Sequence, residues 1–300
     1  MSDLLGLERV HSGKVRDLFA LGDDRLLMVA SDRISAFDVV MAETIPDKGR
    51  VLTAMTAFWC EELGDIAPGS LLSCDPEVID RDVPGFAGAT ELHGRTMLVR
   101  RAEMLPLECI VRARLAGQAY EEYVAHGTIH TMPAPAGLEL AQALPEPMFT
   151  PSTKAEEGHD ENIDLATAAG IVGEPRLEEA KVLCLGLFAA AAARAEAAGL
   201  VLADTKFELG VLDGRLVLCD EVVTPDSSRL WPADQIVLGQ TPPAFDKQPF
   251  GDWLAAQPWD RTPPPPSVPA DIVATTSARY RQAYEAMTGR SLSDWYGESA

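Results

Sequence analysis

The chain has 300 residues, 47% of them hydrophobic and 24% charged, and carries a net charge of −21. The apolar fraction excludes a wholly disordered chain, and the acidity excludes nucleic-acid binding through a basic face. Anionic small molecules stay open, because a pocket can be locally basic in an acidic protein. The five cysteines form no CxxC pair, the N-terminus has no signal pattern, and no apolar run nears the ~20 residues of a membrane span. A reduced, soluble, cytoplasmic protein without a membrane partner is expected.

From Val10 to Arg101 short strands and turns dominate. RLLMVAS and GRTMLVRRA are apolar runs bounded by Gly, Asp and Ser; between them Val51 to Leu63 has helical spacing, with Gly64 as its stop. After Pro106, LECIVRARLAGQAYEEYVAHG predicts a strand, a break at Gly117 and a helix up to Gly127. Residues 131–151 hold five prolines and little periodicity, which predicts a loop. Leu177 to Ala198, alanine-rich and closed by Gly199, is the strongest helix. Two alternating runs around Asp213-Gly214 predict a β-hairpin. A stiff connector, Pro263 to Pro269, leads to a helix over Asp271 to Thr288 with Gly289 as its stop. The expected fold is α+β in two lobes: a strand-rich lobe over residues 1–105 and a larger mixed α/β lobe over 106–300 that ends in a helix.

Asp204, Lys206 and Glu208 alternate with apolar residues and so share one strand face, while the partner strand ends in Asp220-Glu221. Such a face is either solvated or a Mg-nucleotide site, where acids hold the hard cation and the lysine neutralises phosphate. A two-residue Asp213-Gly214 loop pairs Lys206 with Glu221 and turns Asp220 to the other face. A three-residue loop with a bulge sets Glu208 opposite Asp220 instead, and a Glu208–Asp220 metal pair requires that version. The spacing leaves both open. As a charged face residue, Lys206 is expected to matter more for turnover than for stability.

HSGKVRDLF puts backbone N–H groups around Gly13 beside Lys14 and Arg16, either a phosphate-covering turn or an ordinary hairpin turn. SDRISAFDVV concentrates Asp32, Arg33, Ser35 and Asp38 in a polar turn or a site loop. PSTKAEEGHDENID, with Lys154, His159 and Asp160, is a solvated charged loop or part of a site. Arg112 and Arg114 share a strand face and suit bidentate binding of phosphate or carboxylate. TPDSSRLW, with Asp226 and Arg229, is a second anion clamp or a capped turn.

Taken in order, HSGKVRDLF, SDRISAFDVVMAETIPDKGRVLT, PLECIVRARLAGQAY, FTPSTKAEEGHDENI, LADTKFELG, DEVVTPDSSRLW and FDKQPFGDWL closely resemble the SAICAR synthetases in their longer form. The resemblance runs from about residue 10 to the terminal helix. It implies an ATP-dependent ligase of purine biosynthesis that joins the carboxylated aminoimidazole ribonucleotide CAIR to L-aspartate through an acyl phosphate. It also implies a kinase-like nucleotide lobe, ATP as a substrate, Mg²⁺ as its cation, and CAIR and L-aspartate as small-molecule partners. The assembly expected is a monomer or a small homo-oligomer.

Carried over by position, Gly13, Lys14 and Arg16 match the family's phosphate-covering loop. Lys206, Glu208 and Asp220 match nucleotide and Mg²⁺ positions, with Asp204 nearby as a further metal candidate. Arg112 and Arg229 match arginines that hold the ribonucleotide; Lys154 and Asp160, with Lys206, match catalytic positions. Asp32 and Ser35, in a loop the family uses as a mobile one, are assigned to substrate binding. Gln118 stands where the family usually has a serine that helps bind the substrate phosphate; its amide can donate a hydrogen bond but is longer. A protein kinase would need an HRD-type catalytic loop, which is missing, and a regulator that had lost catalysis should have lost some of these acids and lysines.

Overall fold

The computed structural model describes residues 3–36, 39–154, 161–245 and 248–296. Strands Leu7–Ser12, Arg16–Leu21, Arg25–Ala30 and Thr96–Arg100 pair antiparallel in that order, with Asp3–Leu4 and Leu71–Ser73 along the two edges. Alternation turns Phe19, Leu27 and Leu98 to one face, where Ile79, Val83, Phe86 and Leu92 cover them. A hairpin of Arg33–Ala36 with Val39–Thr44 buries Ile34, Met41 and Ile45 against Phe250, Leu254 and Val268. That burial changes the expected domain organisation. Met1–Phe58, Ser70–Arg101 and Phe245–Ala300 form one compact unit, and Trp59–Gly69 with Ala102–Ala244 forms the other. A division at residues 105–106 would strip Phe250 and Val268 from the hairpin they cover, so hydrophobic burial returns the C-terminal segment to the first unit.

The second unit is built on the long strand Leu200–Leu212. Its first half pairs with Leu107–Arg114 on one side and Ser228–Pro232 on the other; its second half pairs with Arg215–Cys219. The helix Glu174–Ala197 packs on this sheet through Leu177, Ala180, Cys184, Leu187, Phe188 and Ala191, whose small and apolar side chains let helix and strand approach. The expected helices after Gly117 and before Gly199 and Gly289 are Gly117–His126, Glu174–Ala197 and Ala270–Thr288, and Gly127 and Gly289 end theirs at φ 71°.

The loop expected over residues 131–151 is in part a strand. Ala143–Phe149 pairs with Leu107–Arg114 through Met148 and Phe149, and then again at Ala143 after an irregularity. Pro145 and Pro147 sit within that irregularity, on an edge strand, where a missing N–H costs no ladder bond. Among the described residues all five cysteines are free, and no helix is long and apolar enough to cross a membrane.

Candidate active site

Register assembles the site of the second unit. Asp204 pairs with Arg112 on one neighbouring strand and with Arg229 on the other, so both guanidiniums arrive at one carboxylate. Asp204 Oδ2 accepts from Arg112 Nη1 at 2.7 Å and from Arg229 Nη1 at 2.5 Å. Two arginines on one carboxylate leave a net positive charge, the local excess that an anionic ligand needs in an acidic chain. Gly117 opens its helix at φ +55°, and a Cβ there would lie 2.9 Å from Arg229 Cζ. The break expected at Gly117 therefore has a second cause, since only glycine lets Arg229 lie against this backbone. Gln118, the next residue, is exposed at the start of the same helix.

Two residues along the long strand, Lys206 Nζ donates to Glu108 Oε1 at 2.6 Å and to Glu208 Oε1 at 3.1 Å. Glu208 Oε2 in turn accepts from Lys154 Nζ. Burial pulls the Lys206 ammonium toward its neutral form, but Glu208 and Glu108 outweigh it and hold the group above its ordinary range. For Glu208 burial pushes upward, and Lys206 and Lys154 overcome it to bring the carboxyl down to about 2. Lys206 is thus a fixed cation and Glu208 a fixed anion at neutral pH. Neither is a proton shuttle; their chemistry is electrostatic. The sequence pattern missed Glu108, although Glu108, Ile110 and Arg112 alternate onto the same face as Lys206.

The hairpin adopts the two-residue turn: Leu212 pairs with Arg215, Asp213 and Gly214 have φ 52° and 78°, and Glu208 pairs with Cys219. The bulged register needed to set Glu208 opposite Asp220 does not occur. Asp220, however, leaves the strand with φ 52°, so period-two alternation no longer assigns it to the far face. Asp204, expected as a further metal candidate, has its Oδ2 on two arginines and so anchors the guanidinium pair. Among the described residues no group of three or more His, Cys, Asp or Glu is placed to hold a metal ion. Asp160, His159 and Asp38 lie outside the described residues.

In the first unit, Gly13, Lys14 and Val15 form the turn between Leu7–Ser12 and Arg16–Leu21, closed by a bond from the Gly13 N–H to the Arg16 carbonyl at 2.7 Å. Arg33 braces this turn. Its Nη2 donates to the Gly13 carbonyl at 3.1 Å, its Nε to the Lys14 carbonyl at 3.2 Å, and both Nη atoms to Asp17. These bonds fix the Gly13 and Lys14 carbonyls on the Arg33 guanidinium and so hold the turn in one conformation. Burial alone would raise the Asp17 pKa; hydrogen bonds from Arg33 and Ser12 keep it below the ordinary value. Asp32 is a strut here: Oδ1 accepts from the Gly49 N–H at 2.9 Å and Oδ2 from Arg95 Nη2 at 2.9 Å. One oxygen thus holds the start of the helix Lys48–Glu62 and the other Arg95, so both are occupied by the fold and neither is left for the expected substrate contact. Ser35 is half-buried opposite Val40.

The sequence pattern also missed His130, which is fully buried and bonded to Arg112. Burial, then the Arg112 charge, lowers its pKa from 6.5 to about 4, against the opposite pull of the Pro151 carbonyl, Glu122 and Asp204. A depressed histidine contributes stability that is complete above the unfolded value and lost as pH falls from 6.5 to about 4. That loss is on the order of 3 kcal/mol. Denaturation at pH 7, 5.5 and 4 should show His130→Gln losing less stability than the parent chain; parallel losses would exclude His130 from the acid response.

The family model for SAICAR synthetase matches residues 9–266. The chain is 48% identical over 307 aligned residues to the phosphoribosylaminoimidazole-succinocarboxamide synthase of Saccharopolyspora erythraea, with 100% of each chain covered. It is 46% identical to that of Syntrophobacter fumaroxidans, over 97% of this chain and 96% of the relative. Among solved structures it is similar to a SAICAR synthase from Saccharomyces cerevisiae complexed with SAICAR, with a TM-score of 0.87 and 40% identity over 95% of this chain and 96% of that one.

Proposed function

The chain belongs to the SAICAR synthetase family, and we propose that it condenses CAIR with L-aspartate at the expense of ATP, giving SAICAR, ADP and phosphate in purine biosynthesis. The observation that carries this reading is one sheet face bearing an arginine pair on Asp204 beside the fixed Lys206 cation and the ionised Glu208. A carboxylate is a poor acylating agent in water. ATP corrects this when a carboxylate oxygen of CAIR attacks the γ-phosphorus and the bond to ADP breaks. The aspartate amine then attacks the acyl carbon, loses its proton and expels phosphate.

Arg112 and Arg229 bind the ribonucleotide phosphate, with Gln118 beside them at the start of the helix. Lys206 and Lys154 offset the negative charge that gathers on the transferring phosphoryl group. Asp160 belongs with Lys154 in the reacting loop, by its match to the family motif. Gly13, Lys14 and Arg16 bind nucleotide phosphates, a role supported by the carbonyl bracing from Arg33. Mg²⁺ fits the donor set. Glu208 and Asp220 are carboxylates, the donor type Mg²⁺ takes, and an ion on Glu208 would have to displace Lys206 or Lys154 from its oxygens. Bound there, the ion would neutralise phosphate oxygens. The free cysteines support work in a reducing cytoplasm.

The test is ADP release from purified protein with Mg-ATP and CAIR, with and without L-aspartate. Release that requires both substrates, with a product absorbing as an imidazole carboxamide, is expected. Release with no amine requirement would replace this reading with another acceptor, and no release would leave a nucleotide binder without catalysis.

A further inference from the structure

His130 takes no part in the chemistry above, yet its surroundings are built to hold one tautomer. It sits at φ 48° in a two-residue turn with Thr131, between Ile129 and Met132, a backbone that non-glycine residues seldom adopt. Glu122 holds that turn: Oε2 accepts from the His130 N–H at 3.0 Å, and Oε1 from the Thr131 N–H and the Thr128 hydroxyl, each at 2.7 Å. The ring then spans two partners. Nε2 lies 3.2 Å from Arg112 Nη2, and Nδ1 lies 3.2 Å from the Pro151 carbonyl.

A guanidinium has no acceptor, and a carbonyl has no proton to give. Nε2 must therefore accept and Nδ1 must carry the only ring proton. Arg112 Nε is buried with no hydrogen-bond partner among the described residues, so Asp204 and His130 are the two anchors of this guanidinium. One anchor lets the plane pivot about its bond to Asp204. Two anchors at different nitrogens fix it.

We propose that His130 is a positioning residue for substrate binding: its unprotonated Nε2 fixes the plane of Arg112 against Asp204, so that the arginine pair is set before the phosphorylated substrate arrives. The proposal rests on the reading that Arg112 binds the ribonucleotide. Orientation held in advance removes an ordering cost from binding and leaves the chemical step unchanged.

The experiment measures kcat and KM for each substrate in His130→Leu, His130→Gln and Arg112→Ala, beside ¹⁵N shifts of His130 in the parent protein. His130→Leu should raise the CAIR KM on the order of tenfold while kcat and the KM values for ATP and L-aspartate stay within about twofold. His130→Gln, whose amide oxygen can accept from Arg112, should recover most of that loss. The ¹⁵N shifts should show Nδ1 protonated and Nε2 unprotonated at pH 7, a readout that stands even where His130→Leu fails to fold. A CAIR KM unchanged in His130→Leu but raised in Arg112→Ala would overturn the proposal and keep the substrate role of Arg112. An unchanged CAIR KM in Arg112→Ala would remove the reading beneath it. Equal losses in the Leu and Gln variants, or a doubly protonated ring, would reduce His130 to a packing residue.

Discussion

Replacing Lys206 with methionine is expected to lower kcat by about a thousandfold, the scale seen when a preorganised charge facing a developing anion is removed. Methionine keeps most of the stem and removes only the ammonium. The KM for CAIR should change little, because the proposed ribonucleotide site lies at Arg112 and Arg229, which are anchored on Asp204 two residues along the same strand rather than on Lys206. Lys206 is also more than a solvated face residue. Its ammonium sits between Glu108 and Glu208, whose side chains are 14% and 9% exposed. Without it the two carboxylates face each other with Lys154 as the cation on Glu208. Breaking such a buried pair costs on the order of 3 kcal/mol, so stability at pH 7 should fall along with turnover. The loss should shrink as pH falls and the carboxylates take up protons. Chemical denaturation at pH 7 and pH 5, beside a steady-state assay, separates the two effects. Normal turnover per folded molecule would remove Lys206 from the chemistry.

The second large effect is expected at Asp204. Asp204→Asn keeps the shape and deletes the one charge that both guanidiniums share. Arg112 has a side chain only 6% exposed and cannot shed its proton, so it would remain as a buried cation without its anion. The cost is again about 3 kcal/mol, or a fall in Tm of roughly 6–12 °C for a chain of this class. A phosphate dianion can supply the missing charge. Saturating CAIR should therefore raise the Tm of Asp204→Asn by more than it raises that of the parent protein. A variant as stable as the parent would mean that Asp204 does not hold the arginines. A variant that is unstable but unmoved by CAIR would place the phosphate elsewhere.

The order of motifs along the chain was sufficient to identify the family, and local pattern was sufficient for the main helices and for the 213–214 hairpin. These depend on neighbouring residues: glycine stops, alternation, and a turn that needs positive φ at two positions. The same local rules placed Asp204, Lys206 and Glu208 on one face. What they could not do was decide which charges meet. Asp204 looked like a third metal acid because alternation shows which way a side chain points, not what stands across from it. Only pairing on both sides of Leu200–Leu212 brings Arg112 and Arg229 to it. Asp32 likewise became a strut only once Arg95 and Gly49 arrived from distant segments.

His130 stands just before the proline-rich stretch over residues 131–151, and nothing near it in sequence signals Arg112. Its tautomer is set by a guanidinium 18 residues away and a carbonyl 21 away. The return of Phe245–Ala300 to the first unit is the same kind of result, for the hairpin at Ile34 and Met41 needs apolar cover and the nearby sequence does not provide it. Sequence by itself determined the main helices, the 213–214 hairpin, the family and the identity of the charged residues, because those follow from short-range backbone preference and motif order. Tertiary structure alone decided which acid serves which base, because a hydrogen bond or ion pair is set by spatial register over a few ångströms rather than by distance along the chain.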